Sequence, residues 1–227
     1  MKPGIYLNAE EILKQKTSIS PIKLILEKIQ SPSIKEFTKE GLEKAPDEFW
    51  TSPSSIRAKK FGIENRKYHT AFDLIEPGGI INHIIVCAYY VIEGLRRYIQ
   101  LRKKLDKPPF IVPKPIWLDR ALSAALLHDI CIRGDNRKIK WGDKSCYNHG
   151  ELAANLLSQL PSCKKLAKED KFQILNGIKW HMGTFGPLPG RAFTPFEKVI
   201  QEADYYSTRT FLTGVDIQLL NYPSKDP

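Results

Sequence analysis

An apolar run that ends in His128-Asp129 is the feature that most constrains how this chain can fold. The run, residues 124–127, has the composition of a buried helix, and it delivers two polar side chains into an interior or a cleft. Neighbouring side chains on an α-helix point about 100° apart, so both can reach one ion only at a helix end or a kink. A surface His-Asp pair after a core helix is the alternative that this stretch alone leaves open.

The rest of the chain carries helical patterns, with no strong strand pattern and no internal repeat, so an all-α fold is predicted. Asn8 has the residue type that caps a helix, and Ser20-Pro21 predicts a cap followed by a first-turn proline. Gly78-Gly79 indicates a turn before a long apolar helix. The later helices are predicted at about 80–105, 117–130, 149–160, 168–180 and 195–211.

The composition is that of a soluble globular protein, with 227 residues of which 42% are hydrophobic and 26% are charged. No apolar run approaches the roughly 20 residues that a membrane span requires, and the amino terminus lacks the apolar segment of a signal peptide. The four cysteines have no CxxC spacing, which indicates reduced, structural thiols and argues against a zinc–cysteine site. A cytoplasmic protein with no membrane partner is therefore expected.

The net charge of +10 favours an anionic partner. Basic residues cluster at 96–107 and again at 133–144, directly after the His-Asp pair. If that pair binds a metal, the second cluster gives the site a positive field that suits phosphates. The alternative is a solvated loop in which Asp135 and Asp143 offset part of the charge.

Four of the five histidines lie at predicted helix ends beside apolar sequence: His83, His128, His149 and His181. A lone histidine in such a place is usually a hydrogen-bonded core residue. Four of them, together with Asp204 inside an apolar helix, need charge compensation of the kind that a divalent metal supplies. Because scattered ligands have no regular motif, spacing alone leaves both interpretations open.

The order of five motifs resembles the HD-domain superfamily of metal-dependent phosphohydrolases. The motifs are residues 77–83 (PGGIINH), 126–130 (LLHDI), 149–151 (HGE), 180–183 (WHMG) and 203–204 (AD). The stretch from Phe49 to Ser55 and Lys67-Tyr68-His69 is similar to the HD half of bacterial 3′–5′ exoribonucleases and to relaxase-associated HD proteins. The resemblance implies an HD-domain helical bundle over residues 49–215, a short helical N-terminal extension over 1–48 and a C-terminal tail over 216–227.

The resemblance also implies a set of metal ligands. The expected ligands of a first metal are His83, His128, Asp129 and Asp204. His149 and His181 match histidines that hold a second metal, with Asp129 bridging, or that contact phosphate in one-metal members. Mixed histidine and carboxylate ligation suits one or two ions of Mn, Fe, Ni, Co or Zn. Asp129, His149 and His181 are therefore the expected catalytic residues.

Substrate contacts are expected from His69, Arg133 and Lys138. Many members of the superfamily follow the His-Asp pair with Gly and Lys, whereas this chain has Cys131 and Ile132. Arg133 and Lys138 are the candidates that replace the missing cation.

The implied activity is hydrolysis of a phosphoester, and the basic charge favours a phosphodiesterase or nuclease that acts on nucleic acid or nucleotide. Trp141, Tyr147, Tyr205 and Tyr206 are candidates for stacking on bases, although ordinary packing is the simpler role for each. The alternatives are a nucleotide phosphohydrolase of the nucleotidase type and a catalytically decayed module that binds a nucleotide or nucleic acid. The absence of Gly-Lys after the His-Asp pair favours the module that has lost catalysis, whereas the presence of every expected metal ligand favours an active enzyme. The sequence does not indicate an oligomeric state.

Overall fold

Helices make up most of the part of the chain that the structure, a computed structural model, describes: residues 8–54, 77–104, 115–134, 148–183 and 193–209. No strand occurs within these ranges, so the predicted all-α class is confirmed. The helices are α1 (Ala9–Gln15), α2 (Ser20–Lys28), α3 (Pro32–Glu43), α4 (Asp47–Thr51), α5 (Gly79–Lys104), α6 (Pro115–Leu127), α7 (His149–Ser158), α8 (Pro161–Lys165), α9 (Lys168–Trp180) and α10 (Pro195–Arg209). None of the helices in these ranges has the length and hydropathy that crossing a membrane requires.

Local hydrogen bonds account for where the first helices begin. The side chain of Asn8 accepts a bond from the Glu11 N–H at 2.9 Å, and the Asn8 N–H donates to the Glu11 carboxylate at 2.9 Å, which is a capping box. The prediction that Ser20 caps α2 is wrong, because the helix begins at Ser20 and its capping residue is Ile19. A 3-10 turn precedes Ile19 and places its carbonyl where it accepts a bond from Lys23 N–H at 2.9 Å.

The central helix of the core is α6. Every residue from 121 to 127 is buried, and α3, α5, α9 and α10 pack around the helix. It ends at Leu127, after which the chain turns through residues 128–133. The prediction of a helix to about residue 130 is therefore three residues too long, because the His-Asp pair lies in the turn directly after the buried helix.

The start of α5 is fixed against the core. Gly78 precedes the helix with a φ of +98°, a conformation that is easy only for glycine. The Ile80 N–H donates to the carbonyl of Ser52 at 3.2 Å, which attaches the beginning of α5 to the end of α4. Ile81 and Ile84 are fully buried. His83 is thus held on a helix whose first turns have little freedom to move.

The N-terminal helices pack on the same core as α6. At Gly41 of α3, an added Cβ would lie 2.9 Å from a methyl carbon of Leu127, so the two helices approach closely. The buried Asp119 of α6 accepts bonds from the N–H groups of Gln30 at 3.0 Å and Ser31 at 2.7 Å. Helices on both sides of residue 48 contribute to one hydrophobic cluster. The three-part division of the chain stays a prediction.

Candidate metal centre

Five helices bring six candidate ligands to one buried cluster. Residues near the start of α5, after α6, at the start of α7, after α9 and within α10 supply them: His83, His128, Asp129, His149, His181 and Asp204. The side chain of Asp204 is 20% exposed, and each of the other five is at most 5% exposed. The six side chains that sequence analysis singled out therefore converge, and Asp204 is the one most open to solvent.

Four of these side chains form what we name the first ligand group: His83, His128, Asp129 and Asp204. Nε2 of His83 lies 3.1 Å from Oδ1 of Asp204 and 3.4 Å from Oδ2 of Asp129. The Nε2 atoms of His83 and His128 are 3.2 Å apart. Adjacent ligands on one ion, each about 2.1 Å from it and roughly 90–110° apart, have separations of about 3.0–3.4 Å, the range of these three distances.

A second ligand group consists of Asp129, His149 and His181. Oδ1 of Asp129 lies 3.1 Å from Nε2 of His149 and 3.5 Å from Nε2 of His181. The two Nε2 atoms are 3.0 Å apart. Because Asp129 faces the first group with Oδ2 and the second group with Oδ1, its single carboxylate lies between the two groups.

Hydrogen bonds at the far side of the imidazole rings leave the inward nitrogens as acceptors. Nδ1 of His128 lies 2.8 Å from the carbonyl of Ala125, and Nδ1 of His181 lies 2.7 Å from the carbonyl of Ile178. A carbonyl can only accept, so each Nδ1 carries the hydrogen and Nε2 of the neutral ring presents a lone pair. Lone pairs of nitrogen and carboxylate oxygen that face one another at about 3 Å repel unless a cation lies between them. The residues present therefore fit a divalent metal.

The carboxylates and His128 have ionisation states that suit a cation, whereas Asp129 raises the pKa of His181 despite its burial, so a metal bound by that ring displaces a proton. Burial lowers the pKa of His128 to about 4, and the carboxylates of Asp129 and Asp204 offset only part of this shift. Burial by itself would raise the pKa of Asp129, but the nearby His128, His149 and His181 hold it well below its usual value. The pKa of Asp204 is also lowered despite its burial. Ionised carboxylates and a neutral imidazole are the states that bind divalent metals.

Thiols do not join this ligand set. Cys87 lies one turn after His83, and its burial, together with the nearby carboxylates of Asp204 and Asp129, raises its pKa well above the usual value. A thiol that stays protonated is a poor metal ligand. Cys131 and Cys163 are likewise buried and form no disulfide within the described ranges, and Cys146 lies outside those ranges.

A comparison with known families agrees with this geometry. Residues 99–209 match the HD domain. The match supports assignment to the HD superfamily, an all-α family whose members are generally metal-dependent hydrolases. The HD domain match contains every candidate ligand except His83, which lies upstream of it. No curated protein and no solved structure matches the chain.

Of the three residues predicted to contact substrate, the structure describes only Arg133. His69 and Lys138 lie outside the described residues. Arg133 is buried, and its Nη2 donates a hydrogen bond to the carbonyl of Pro53. This bond ties the turn after His128-Asp129 to the segment that follows α4. A substrate contact from any of the three stays a prediction.

Sequence reasoning missed the role of Gly150, which follows the ligand His149. A Cβ at this position would lie 2.8 Å from the carbonyl oxygens of Ile178 and Lys179 and 3.2 Å from Cε1 of His181. The absence of a side chain thus lets the start of α7 approach the end of α9. This close approach brings the two histidines of the second ligand group together. The glycine directly after His149 is visible in the sequence, but its contact with the carbonyls of Ile178 and Lys179 is visible only in the structure.

Replacement of Gly150 by alanine should therefore separate His149 from His181. Gly→Ala in a helix normally stabilises by about 0.5–1 kcal/mol. Here the backbone of α9 has to move, so we expect a lower free energy of unfolding and loss of one metal equivalent, measured by urea unfolding and elemental analysis. Gly94→Ala is the matched control, because a Cβ at this exposed helical position meets nothing within 4 Å. A Gly150→Ala protein as stable and as metal-rich as Gly94→Ala would contradict the prediction.

Proposed function

We propose that this protein is a metal-dependent phosphohydrolase that cleaves a phosphodiester bond in nucleic acid or a nucleotide. The observation that carries the proposal is the position of Asp129, whose two oxygens face two separate groups of inward-pointing imidazoles. A carboxylate shared in this way is suited to a pair of divalent ions a few ångströms apart, an arrangement that serves phosphoester hydrolysis.

In this proposal the first ligand group holds one ion and the second ligand group holds another. Bound divalent ions would supply a Lewis acid for a phosphoryl oxygen and lower the pKa of water toward neutrality. The donor set of imidazole and carboxylate suits Mn, Fe, Ni, Co or Zn. If only the first group is filled, His149 and His181 are placed to contact the phosphate.

Residues of the chain position the attacking water and the imidazole rings. Asp129, which stays ionised, can accept a hydrogen from the attacking water and so orient it toward phosphorus. The rings of His128 and His181 are held by carbonyls of their own helices, so their Nε2 atoms need no rearrangement when substrate arrives. Because the four histidines and Asp129 are buried, bulk water has little access to them.

Charge and aromatic residues support a polyanionic substrate. The chain carries a net charge of +10, and Lys and Arg contacts with phosphates dominate affinity for nucleic acid. Tyr205 and Tyr206, which follow Asp204, are 42% and 52% exposed, and the ring of Tyr206 lies 6.1 Å from that of Tyr90. Exposed aromatic rings beside a hydrolytic centre are suited to stacking on bases. Trp141 and Tyr147 lie outside the described residues.

The test uses the parent protein with added Mn²⁺ on a single-stranded oligonucleotide, on bis(p-nitrophenyl) phosphate and on a mononucleotide. We expect the two diesters to be cleaved, with activity abolished by a chelator. Between about 50 and 200 mM salt, KM for the oligonucleotide should rise roughly 10–50-fold, because each neutralised phosphate adds to the salt dependence. The KM for bis(p-nitrophenyl) phosphate, which has one charge, is the internal control and should change little.

Two results would contradict the proposal. Hydrolysis of the mononucleotide alone, with a KM that salt does not change, would indicate a nucleotidase. Binding of the oligonucleotide without cleavage in the presence of Mn²⁺, Ni²⁺, Co²⁺, Fe²⁺ or Zn²⁺ would indicate a module that has lost catalysis.

A further inference from the structure

The hydroxyl of Ser207 connects α10 to His83. Ser207 lies three residues after Asp204 in α10 and is 1% exposed. Its Oγ donates a hydrogen bond to the backbone carbonyl of Asp204 at 2.6 Å and lies 3.1 Å from Nδ1 of His83. A hydroxyl has one hydrogen, and here the carbonyl receives it. The oxygen of Ser207 is therefore an acceptor toward His83, and Nδ1 of His83 must carry a hydrogen.

We propose that Ser207 is a positioning residue that holds His83 in the Nδ1–H tautomer and so keeps Nε2 free to bind metal. The proposal rests on the proposed function in that it takes His83 to be a ligand. Nε2 of His83 is the atom that lies 3.1 Å from Asp204 and 3.2 Å from Nε2 of His128. A hydrogen on that atom would block the first ligand group, whereas a hydrogen on Nδ1 leaves the lone pair directed inward.

The support for His83 differs in origin from that of two other histidines in the cluster. His128 and His181 each use a carbonyl three residues earlier in the chain, so their orientation is set locally. The Ser207 contact with His83 comes from another helix, 124 residues later in the sequence. Because α10 supplies both Asp204 and the orienting hydroxyl, the packing of α10 on α5 brings both groups to His83. The second ligand group does not depend on Ser207.

The test compares zinc binding by the metal-free parent, Ser207→Ala and Ser207→Thr. Loss of an outer-shell partner of a metal ligand typically weakens affinity 10–100-fold. We expect Ser207→Ala to lose roughly this factor at one of two zinc sites, as measured by calorimetric titration, while the other site keeps the parent affinity. Ser207→Thr keeps the hydroxyl and should retain most of the affinity. Ser123→Ala is the matched control, because Ser123 is an equally buried serine whose hydroxyl bonds to Thr38 instead of the centre.

A spectroscopic measurement separates positioning from general stability. Two-bond proton–nitrogen correlation spectra of protein labelled at histidine report which ring nitrogen carries hydrogen, and a His83→Gln variant assigns the His83 signals. We expect the zinc-loaded parent to show hydrogen on Nδ1 and ligation through Nε2 of His83. In Ser207→Ala the His83 signals should show both tautomers in the metal-free state.

Several outcomes would overturn the role of Ser207. These are parent affinity at both sites in Ser207→Ala, ligation of His83 through Nδ1, or an equal loss of affinity in Ser123→Ala. A parent protein that binds no zinc would overturn this inference and the proposed function together. A parent protein that binds zinc as expected but cleaves no phosphoester would overturn the proposed function and leave the assignment of Ser207 intact.

Discussion

Replacement of Asp129 by asparagine should remove metal from both ligand groups and reduce phosphodiester hydrolysis roughly 10³-fold or more, which corresponds to about 4 kcal/mol of transition-state stabilisation. The amide has nearly the shape of the carboxylate but carries no charge and only one oxygen. It therefore cannot present an anionic oxygen to each group, as Asp129 does at 3.4 Å from His83 and 3.1 Å from His149. Elemental analysis and steady-state kinetics at saturating Mn²⁺ measure the two effects.

Asp119→Asn is the matched control for this variant. Asp119 is as deeply buried as Asp129, but it bonds to the backbone of the α2–α3 connection and takes no part in the cluster. We expect it to lower stability by about 1–3 kcal/mol, because one backbone N–H then faces an amide N–H, and to leave metal content and turnover per folded molecule unchanged. Asp129→Asn protein that retained both metals and its turnover would exclude a bridging role for Asp129.

Replacement of His149 by alanine should remove one metal equivalent and leave the other in place. His149 belongs to the second ligand group alone, and its Nε2 lies 3.0 Å from that of His181. If both ions take part in catalysis, kcat should fall roughly 10²-fold while the remaining ion keeps its affinity. His83→Ala should remove the other equivalent. Each variant should therefore retain about one metal ion per chain, bound by the ligand group that the mutation leaves intact.

Asn155→Ala controls for mutation of the same helix, because Asn155 is an exposed residue of α7. It should keep the parent metal content and turnover. Simultaneous loss of both ions in His149→Ala, at full retention of fold, would show that the two groups do not bind independently. An unchanged metal content in that variant would exclude the second site.

The sequence could predict the features that depend on residues close to one another in the chain. The apolar run before His128 and the proline and glycine signals before α5 located the helices, because periodicity and backbone preferences act over a few residues. The same pattern predicted the His-Asp pair at the carboxyl end of α6, although the helix ends at Leu127, just before the pair. The order of motifs from His83 to Asp204 then suggested the ligand set through a family resemblance, which spacing alone could not do.

The roles of residues that act through contacts between distant segments were not predictable from the sequence. Nothing in the sequence around Ser207 marks it, since its function depends on α10 packing against α5 beside His83. Gly150 likewise matters because of a close approach to the carbonyls of α9. The bond from Arg133 to Pro53 joins residues 80 positions apart. Even the local prediction for Ser20 was wrong, because a 3-10 turn shifted the start of α2 by one residue.

The metal content of the parent protein, purified without chelator and then saturated with Mn²⁺, tests the shared-carboxylate centre most directly. We predict about two ions per chain by elemental analysis, one for each ligand group around Asp129. Fewer than one ion per chain, with no increase on addition of Mn²⁺, Ni²⁺, Co²⁺ or Zn²⁺, would contradict a metal centre at this cluster. A single ion that persists under saturation would contradict the bridging role of Asp129.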